Sequence, residues 1–196
     1  GVDIIVASGT EAGGHTGEIS TMVLTPQVVD AVAPVPVLAA GGIGSGRQIA
    51  AALALGAEGV WTGSVWLMVK ESDLQPAVVE KVMRATSRDT VRSRALTGKP
   101  ARQLRTPWTD AWDSPDSPGA LPMPLQFMAT AEAYSRIYRA AEADPNSSAA
   151  QLAGTPIGQI AGMLHSVRPA RDVIFDMVQE YAAAVDRLHG LGMRTS

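Results

Sequence analysis

Three short apolar runs, each closed by glycine, set the rhythm of the first third of the chain. Residues 2–8 (VDIIVAS) lead to Gly9; Val35, Val37, Leu38, Ala39 and Ala40 lead to Gly41-Gly42; and Gly59, Val60, Trp61 and Thr62 lead to Gly63-Ser64. Runs of this length without polar alternation suit strands of a parallel sheet buried on both faces. Between the second and third, Gly46 to Leu55 is almost entirely alanine and leucine, which predicts a helix lying close on a sheet, with Gly56 as a left-handed stop. Thr25-Pro26 predicts the start of another helix through Val32, with Pro26 at the first helical position and Val28, Val29 and Val32 on one face. The order is strand 2–8, helix, strand 35–40, helix, strand 59–63, joined by βαβ crossovers.

After Ser64 the pattern becomes helical. Ser64 is expected to cap a helix through about Lys70, and Ser72 and Asp73 to start another from Leu74 to about Ala85, with Val78, Val79, Val82 and Met83 inward. Thr90 to Leu96 alternates weakly and reads as an extended edge. Residues 107–124 carry five prolines and two tryptophans, which predicts an irregular lid or wrapping segment rather than regular structure. Leu125 to Ala143 reads as a helix stopped by Asp144-Pro145, and Pro169 to Leu188 as a longer one ending at Gly190. Between them, residues 155–162 are spaced by glycines and suit tight packing.

The glycine turns carry the first chemical signal. A residue without Cβ can take positive φ and bring bare backbone N–H groups against a ligand, and a helix that follows adds the positive end of its dipole. Phosphate is the expected guest at both turns. In a (β/α)8 barrel phosphate commonly sits after the last two strands, which would make 35–40 and 59–63 strands seven and eight. The loop at 9–18 has four glycines, His15 and two carboxylates at the end of a strand, where α/β folds place ligand chemistry. His15 can serve as a general base or as a donor, and a purely geometric turn with a solvated histidine is the alternative.

Composition narrows the classes. The chain has 196 residues, 46% hydrophobic and 18% charged, enough for one globular unit with a sizeable core. A net charge of −3 gives no electrostatic footprint for nucleic acid or an acidic membrane. With no cysteine there is no disulfide, thiolate metal site or cysteine nucleophile. No apolar run is long enough for a membrane span and no signal peptide is visible, so a cytoplasmic location is the default expectation.

GTEAGGHTG at 9–17, AAGGIGSGRQIAAALALGAEGVWTGS at 39–64 and GQIAG at 158–162 together resemble the C-terminal half of the nitronate monooxygenase family, formerly the 2-nitropropane dioxygenases. The resemblance is strong over residues 1 to about 70 and looser from about 90 onward. It implies an α/β fold: the C-terminal part of an FMN-binding TIM (β/α)8 barrel, its last three strands in residues 1–70, followed by a mostly helical tail over 71–196. It implies that His15 contacts the nitronate and takes a proton from the α-carbon of a neutral nitroalkane. Gly41, Gly42, Thr62, Gly63 and Ser64 match the grip on the FMN phosphate, and Gly13 and Gly14 let their loop pass beside the flavin. The implied partners are a nitronate or nitroalkane and O2, with no metal, and the implied products are a carbonyl compound and nitrite. Trp61-Thr62 departs from the family, whose members often carry Gln-Met or Gln-Val there; the indole either faces a helix outside the barrel or reshapes the flavin end. Three of eight strands also imply a C-terminal piece whose missing N-terminal barrel half is supplied in cis or by a second chain.

Two other readings stand beside it. An FMN-dependent enoyl-acyl-carrier-protein reductase using NAD(P)H shares a similar glycine-glycine-histidine loop and phosphate grip. Alternatively, the fragment alone is non-catalytic. His165 and His189 are expected to be structural, and Arg84, Arg88, Arg92 and Arg94 a solvated basic face, with carrier-protein docking as a lesser possibility.

Overall fold

The computed structural model describes residues 1–192. A parallel sheet is built from β1 (Ile5–Ser8), β3 (Val37–Ala40) and β4 (Gly59–Trp61) in the order β1-β3-β4. Ala7 lies opposite Ala39 and Ala39 opposite Val60, so these three share a face. Val6, Leu38 and Gly59 share the other, as do Ser8, Ala40 and Trp61 one pair further along. Helix α2 (Gly46–Ala54) covers the first face: Ala52 packs with Ala39, Ile43 and Ala57 in a buried cluster, and Val60 lies against it. The second face is only partly covered among the described residues: Ala40 is buried, whereas Val6 is 42% and Trp61 61% exposed.

Helix α1 (Thr21–Val32) begins a full turn before the expected Thr25-Pro26 start, and Pro26 lies inside it. The reason lies in Glu11, whose carboxylate accepts from the backbone N–H of Thr21 at 2.9 Å and from its hydroxyl at 3.0 Å. A cap supplied from ten residues upstream satisfies the early turn, which local sequence does not announce. Helix α2 ends as expected, with Gly56 at φ +94°.

A second sheet, antiparallel, has the order β2-β6-β5 and joins the two ends of the sequence pattern: β2 (Gly14–His15), β5 (Thr90–Ser93) and β6 (Ala101–Leu104). The mostly helical tail thus also carries two short strands. Strand β5 falls within the weakly alternating stretch, and β6 pairs with both β5 and the His15 loop.

The main core gathers α3 (Pro76–Arg84), α5 (Leu125–Ala143), α6 (Ser148–Leu152) and α7 (Ala170–Gly192). Val78 and Val82 are fully buried, at 0% exposure, whereas Val79 and Met83 pack only against the rim of the cluster. Residues 107–124 are not irregular throughout: α4 (Pro107–Asp113) opens them, with Pro107 in its first turn. Thr106 and Thr109 form a reciprocal capping box there, each hydroxyl accepting from the other's backbone N–H. Helix α5 begins and ends at the expected residues, and α7 runs to Gly192 rather than stopping near Gly190.

Helix α2 abuts α7 at Gly46, where an added Cβ would lie 2.2 Å from the Met177 carbonyl oxygen and the Tyr181 nitrogen. Only glycine allows that approach. The four arginines do not form one face: Arg84 pairs with Glu80, Arg92 reaches Thr16 and Glu18, and Arg94 bonds Gly98. Among the described residues no helix is long and apolar enough to cross a membrane, and no group of His, Cys, Asp or Glu could hold a metal ion.

Candidate functional site

A cleft of about 300 Å³ opens where β1, β3 and β4 end, between the two glycine turns. Strand ends converge there because the three strands are parallel and in register, so every βα turn emerges on one side. Gly13, Gly41, Gly42, Thr62, Gly63 and Ser64 all line it, with Ser8, Ala40 and Trp61 from the second face of the sheet. Six of the seven residues expected to grip a cofactor are thus brought together. Gly14 and His15 stand outside the lining, one step along the loop on β2.

Each turn is held in shape by something other than its own glycines. Gly41 has φ +101° and Gly42 φ +72°, and an added Cβ on Gly41 would lie 2.9 Å from Thr21 Oγ1 and 3.0 Å from the Gly9 carbonyl oxygen. The Thr21 hydroxyl sits at the centre of this, within hydrogen-bonding reach of the Ala40 and Gly41 carbonyls and of Glu11. Gln48 braces the next residues, donating to the Gly42 carbonyl and accepting from the Gly44 N–H at 2.8 Å. At the other turn, Ser64 Oγ accepts from the Gly158 N–H at 2.8 Å, which leaves its own O–H to donate. The Trp66 indole donates to the Thr62 carbonyl and lies 3.1 Å from its hydroxyl.

Among the described residues, no hydrogen bond takes up the N–H of Gly41, Gly42, Gly63 or Ser64. Unpaired backbone donors at the mouth of a cleft are what an oxyanion needs, and Gly63 has nothing within 4 Å of where a Cβ would stand. The residues therefore fit a phosphate. Two expected contributions are smaller than the sequence implies. In place of an α-helix from Ser64 to Lys70 there is a 3-10 helix, Ser64–Met68, too short to carry much dipole. The first turn of α2 is also taken, since Gly46 N–H donates to Glu180 at 2.9 Å. What the cleft offers an anion is therefore individual N–H groups rather than a helix dipole.

His15 is exposed, and its Nε2 lies 2.7 Å from Thr97 Oγ1. Gly13 packs on the 155–162 segment: a Cβ there would lie 2.8 Å from the Gly158 nitrogen and Ile157. Gln159 N–H in turn donates to the Glu11 carbonyl at 2.9 Å, so the glycine-spaced segment is the back wall of the loop. Trp61 lines the cleft, on the sheet face opposite the one that α2 covers. His165 bonds the Met83 and Gly162 carbonyls and stays away from the cleft. The sequence did not announce Glu11, Thr21 or Thr97, because each acts through a partner at least ten residues away.

Comparison with known proteins follows the same lines. A family model described as nitronate monooxygenase matches residues 1–180. A Mycobacterium tuberculosis protein named as a candidate monooxygenase is 61% identical over 194 residues, covering 99% of this chain and 52% of that protein. Nitroalkane oxidase from Streptomyces ansochromogenes superposes with a TM-score of 0.81 at 30% identity, over 95% of this chain and 54% of that one. FabK from Thermotoga maritima superposes with a TM-score of 0.77 at 36% identity, over 97% and 58%. The chain thus spans about half the length of each of these relatives.

Proposed function

Because this chain belongs to the nitronate monooxygenase family, we propose that it is the flavin-phosphate half of an FMN-dependent oxidoreductase that converts alkyl nitronates, with O2, to carbonyl compounds and nitrite. The observation that carries the reading is one cleft at the parallel strand ends lined by Gly41, Gly42, Gly63 and Ser64, whose N–H groups have no hydrogen-bond partner among the described residues. In this reading residues 1–70 are the last three βα units of a barrel and 71–196 its C-terminal region. The FMN phosphate is held by those four amides and the Ser64 hydroxyl. Thr62 and Gly13 line its approach, with Gly14 the next residue along the loop. When bound, the flavin supplies the electron-accepting chemistry and oxygen is the terminal oxidant. His15 takes a proton from the α-carbon of a nitroalkane to give the nitronate. Trp61 and Ser8 line the cleft beside the two turns. The remaining strands belong to an N-terminal half, in the same or a second chain.

A second reading, reduction of an enoyl thioester by NAD(P)H, is favoured by the likeness to FabK. One experiment separates them. The complete protein is purified, its visible spectrum recorded, and it is mixed anaerobically with ethyl nitronate and, separately, with NADH. Bleaching of flavin absorption by the nitronate and not by NADH is the expected result. Bleaching by NADH moves the assignment to the reductase, and absence of flavin removes both.

A further inference from the structure

The contact between His15 and Thr97 assigns a role to a turn that the cleft itself does not use. Thr97 Oγ1 lies 3.2 Å from the Lys99 carbonyl, its acceptor, and 3.4 Å from the Lys99 N–H, a donor to it. A hydroxyl has one proton to give. With that proton on the Lys99 carbonyl, the 2.7 Å contact to His15 Nε2 is satisfied only if the imidazole donates. A neutral ring that donates from Nε2 carries its lone pair on Nδ1.

We propose that Thr97 is a positioning residue for His15: it holds the neutral imidazole as the Nε2–H tautomer, so that Nδ1 is the nitrogen that accepts the substrate proton. The proposal rests on the reading of His15 as the base. In the step, the Cα–H bond of the nitroalkane breaks, its proton goes to Nδ1, and its electron pair stays on the substrate as the nitronate. The ring becomes an imidazolium, whose Nε2–H still donates to Thr97. No oxidant or reductant takes part.

The turn that carries Thr97 is built to stay still. Gly98 has φ +83°, its N–H donates to the Arg94 carbonyl at 2.9 Å, and its own carbonyl accepts from Arg94 Nε at 2.8 Å. An added Cβ on Gly98 would lie 2.0 Å from the Leu121 carbonyl oxygen. Gln126, wholly buried, donates to the Ala95 carbonyl and accepts from the Leu121 N–H, both at 3.0 Å. The Pro-rich segment therefore braces the turn at its far end. From Lys99 the chain enters β6, and Ala101 pairs with His15, so hydroxyl and imidazole are held at both ends of one short hairpin arm.

The test uses the complete protein with Thr97→Val and Thr97→Ser. Selective 15N labelling of histidine reads the tautomer without reference to activity: His15 should show a protonated Nε2 and a bare Nδ1 in the parent and in Thr97→Ser, with that preference lost in Thr97→Val. Kinetically, Thr97→Val should lower kcat on neutral nitroethane by about tenfold, because only that substrate needs the base. Turnover of preformed ethyl nitronate should stay within about twofold, and Thr97→Ser should restore the nitroethane rate. An Nδ1–H tautomer in the parent overturns the proposal, as does an equal loss on both substrates. A His15→Asn enzyme that keeps nitroethane turnover while the parent shows the Nε2–H tautomer overturns the reading of His15 as base and leaves the Thr97 contact as structure only.

Discussion

At Gly41 the backbone demands a residue that the neighbouring side chain also demands. Its φ of +101° is strained for any side chain, and the Thr21 hydroxyl and Gly9 carbonyl fill the space a Cβ would take. Gly41→Ala is expected to cost about 1–3 kcal/mol of stability through backbone strain alone, and the displaced turn should release FMN from the complete protein. Urea unfolding and the ratio of visible to ultraviolet absorption measure the two effects; a variant with an unchanged midpoint and full flavin would remove Gly41 from the cleft. At Gly14, φ is +81° but nothing lies within 4 Å, so only the strain applies. A second residue acts through charge. The Asp89 carboxylate accepts from the Thr86 N–H and hydroxyl, both at 2.7 Å, and these bonds hold its pKa below the ordinary carboxylate value. A depressed folded-state pKa stabilises above the unfolded value of about 3.9 and is lost as pH falls through the folded one. Asp89→Asn should therefore lower the urea midpoint at pH 6, and the gap from the parent should close as the pH is lowered below about 4. A gap that stays constant down to pH 2.5 would show that the carboxylate charge is not responsible.

Among the elements, legibility followed how local the stabilising partners are. Strands β1, β3 and β4 announce themselves because each is a bare apolar run, and α5 because it carries its own stop. Strand β6 does not: its four residues, Ala101, Arg102, Gln103 and Leu104, are all buried, but half of them are polar. Arg102 is accommodated by the Thr10 carbonyl at 2.8 Å and the Thr90 hydroxyl at 3.1 Å, partners brought from 92 and 12 residues away. Burial lowers its pKa, yet a guanidinium remains charged at any ordinary pH. Helix α4 was hidden by composition, since prolines and tryptophans at 107–124 suggest a loop until the Thr106–Thr109 box is seen. Its Trp108 stacks edge-on against Tyr134 of α5 at 5.0 Å between ring centroids, which ties the segment down. The cleft glycines were legible from their place after strands; their braces, Glu11, Thr21 and Gln48, were not all so. Gln126 tests the other brace. Gln126→Leu keeps the volume but leaves the Ala95 carbonyl and the Leu121 N–H unpaired, and is expected to cost about 1–3 kcal/mol. Hydrogen exchange should quicken first in residues 94–99 and 119–124; uniform quickening across α5 would instead mean that the helix, rather than the turn, depends on it.

For the molecule as a whole, the question is what covers the exposed part of the sheet's second face. Among the described residues, strands β1 and β4 pair only with β3, so each leaves one edge without a neighbour. Val2, Ile4, Val6 and Trp61 are 64, 54, 42 and 61% exposed, and the long α7 leaves Ile174, Phe175 and Val178 exposed as well. Exposed apolar side chains beside two open edges are costly in water and invite pairing with another chain. The occupant proposed above is the N-terminal half of the same barrel, since this chain spans about half the length of the three relatives described. Residues 1–196 produced alone should bind a hydrophobic dye strongly, sediment as mixed oligomers and retain no flavin. Co-expression with the N-terminal half of the 61% identical relative, as a separate chain, should abolish dye binding and restore yellow colour in a one-to-one complex. Trp61 gives the sharper readout, because in that complex its indole moves out of water and its emission should shift to the blue, whereas Trp61→Gln should remove the shift while still assembling. A monodisperse, dye-silent chain would mean that this face is stable in water as it stands, and the search for its cover should then move to contacts between copies.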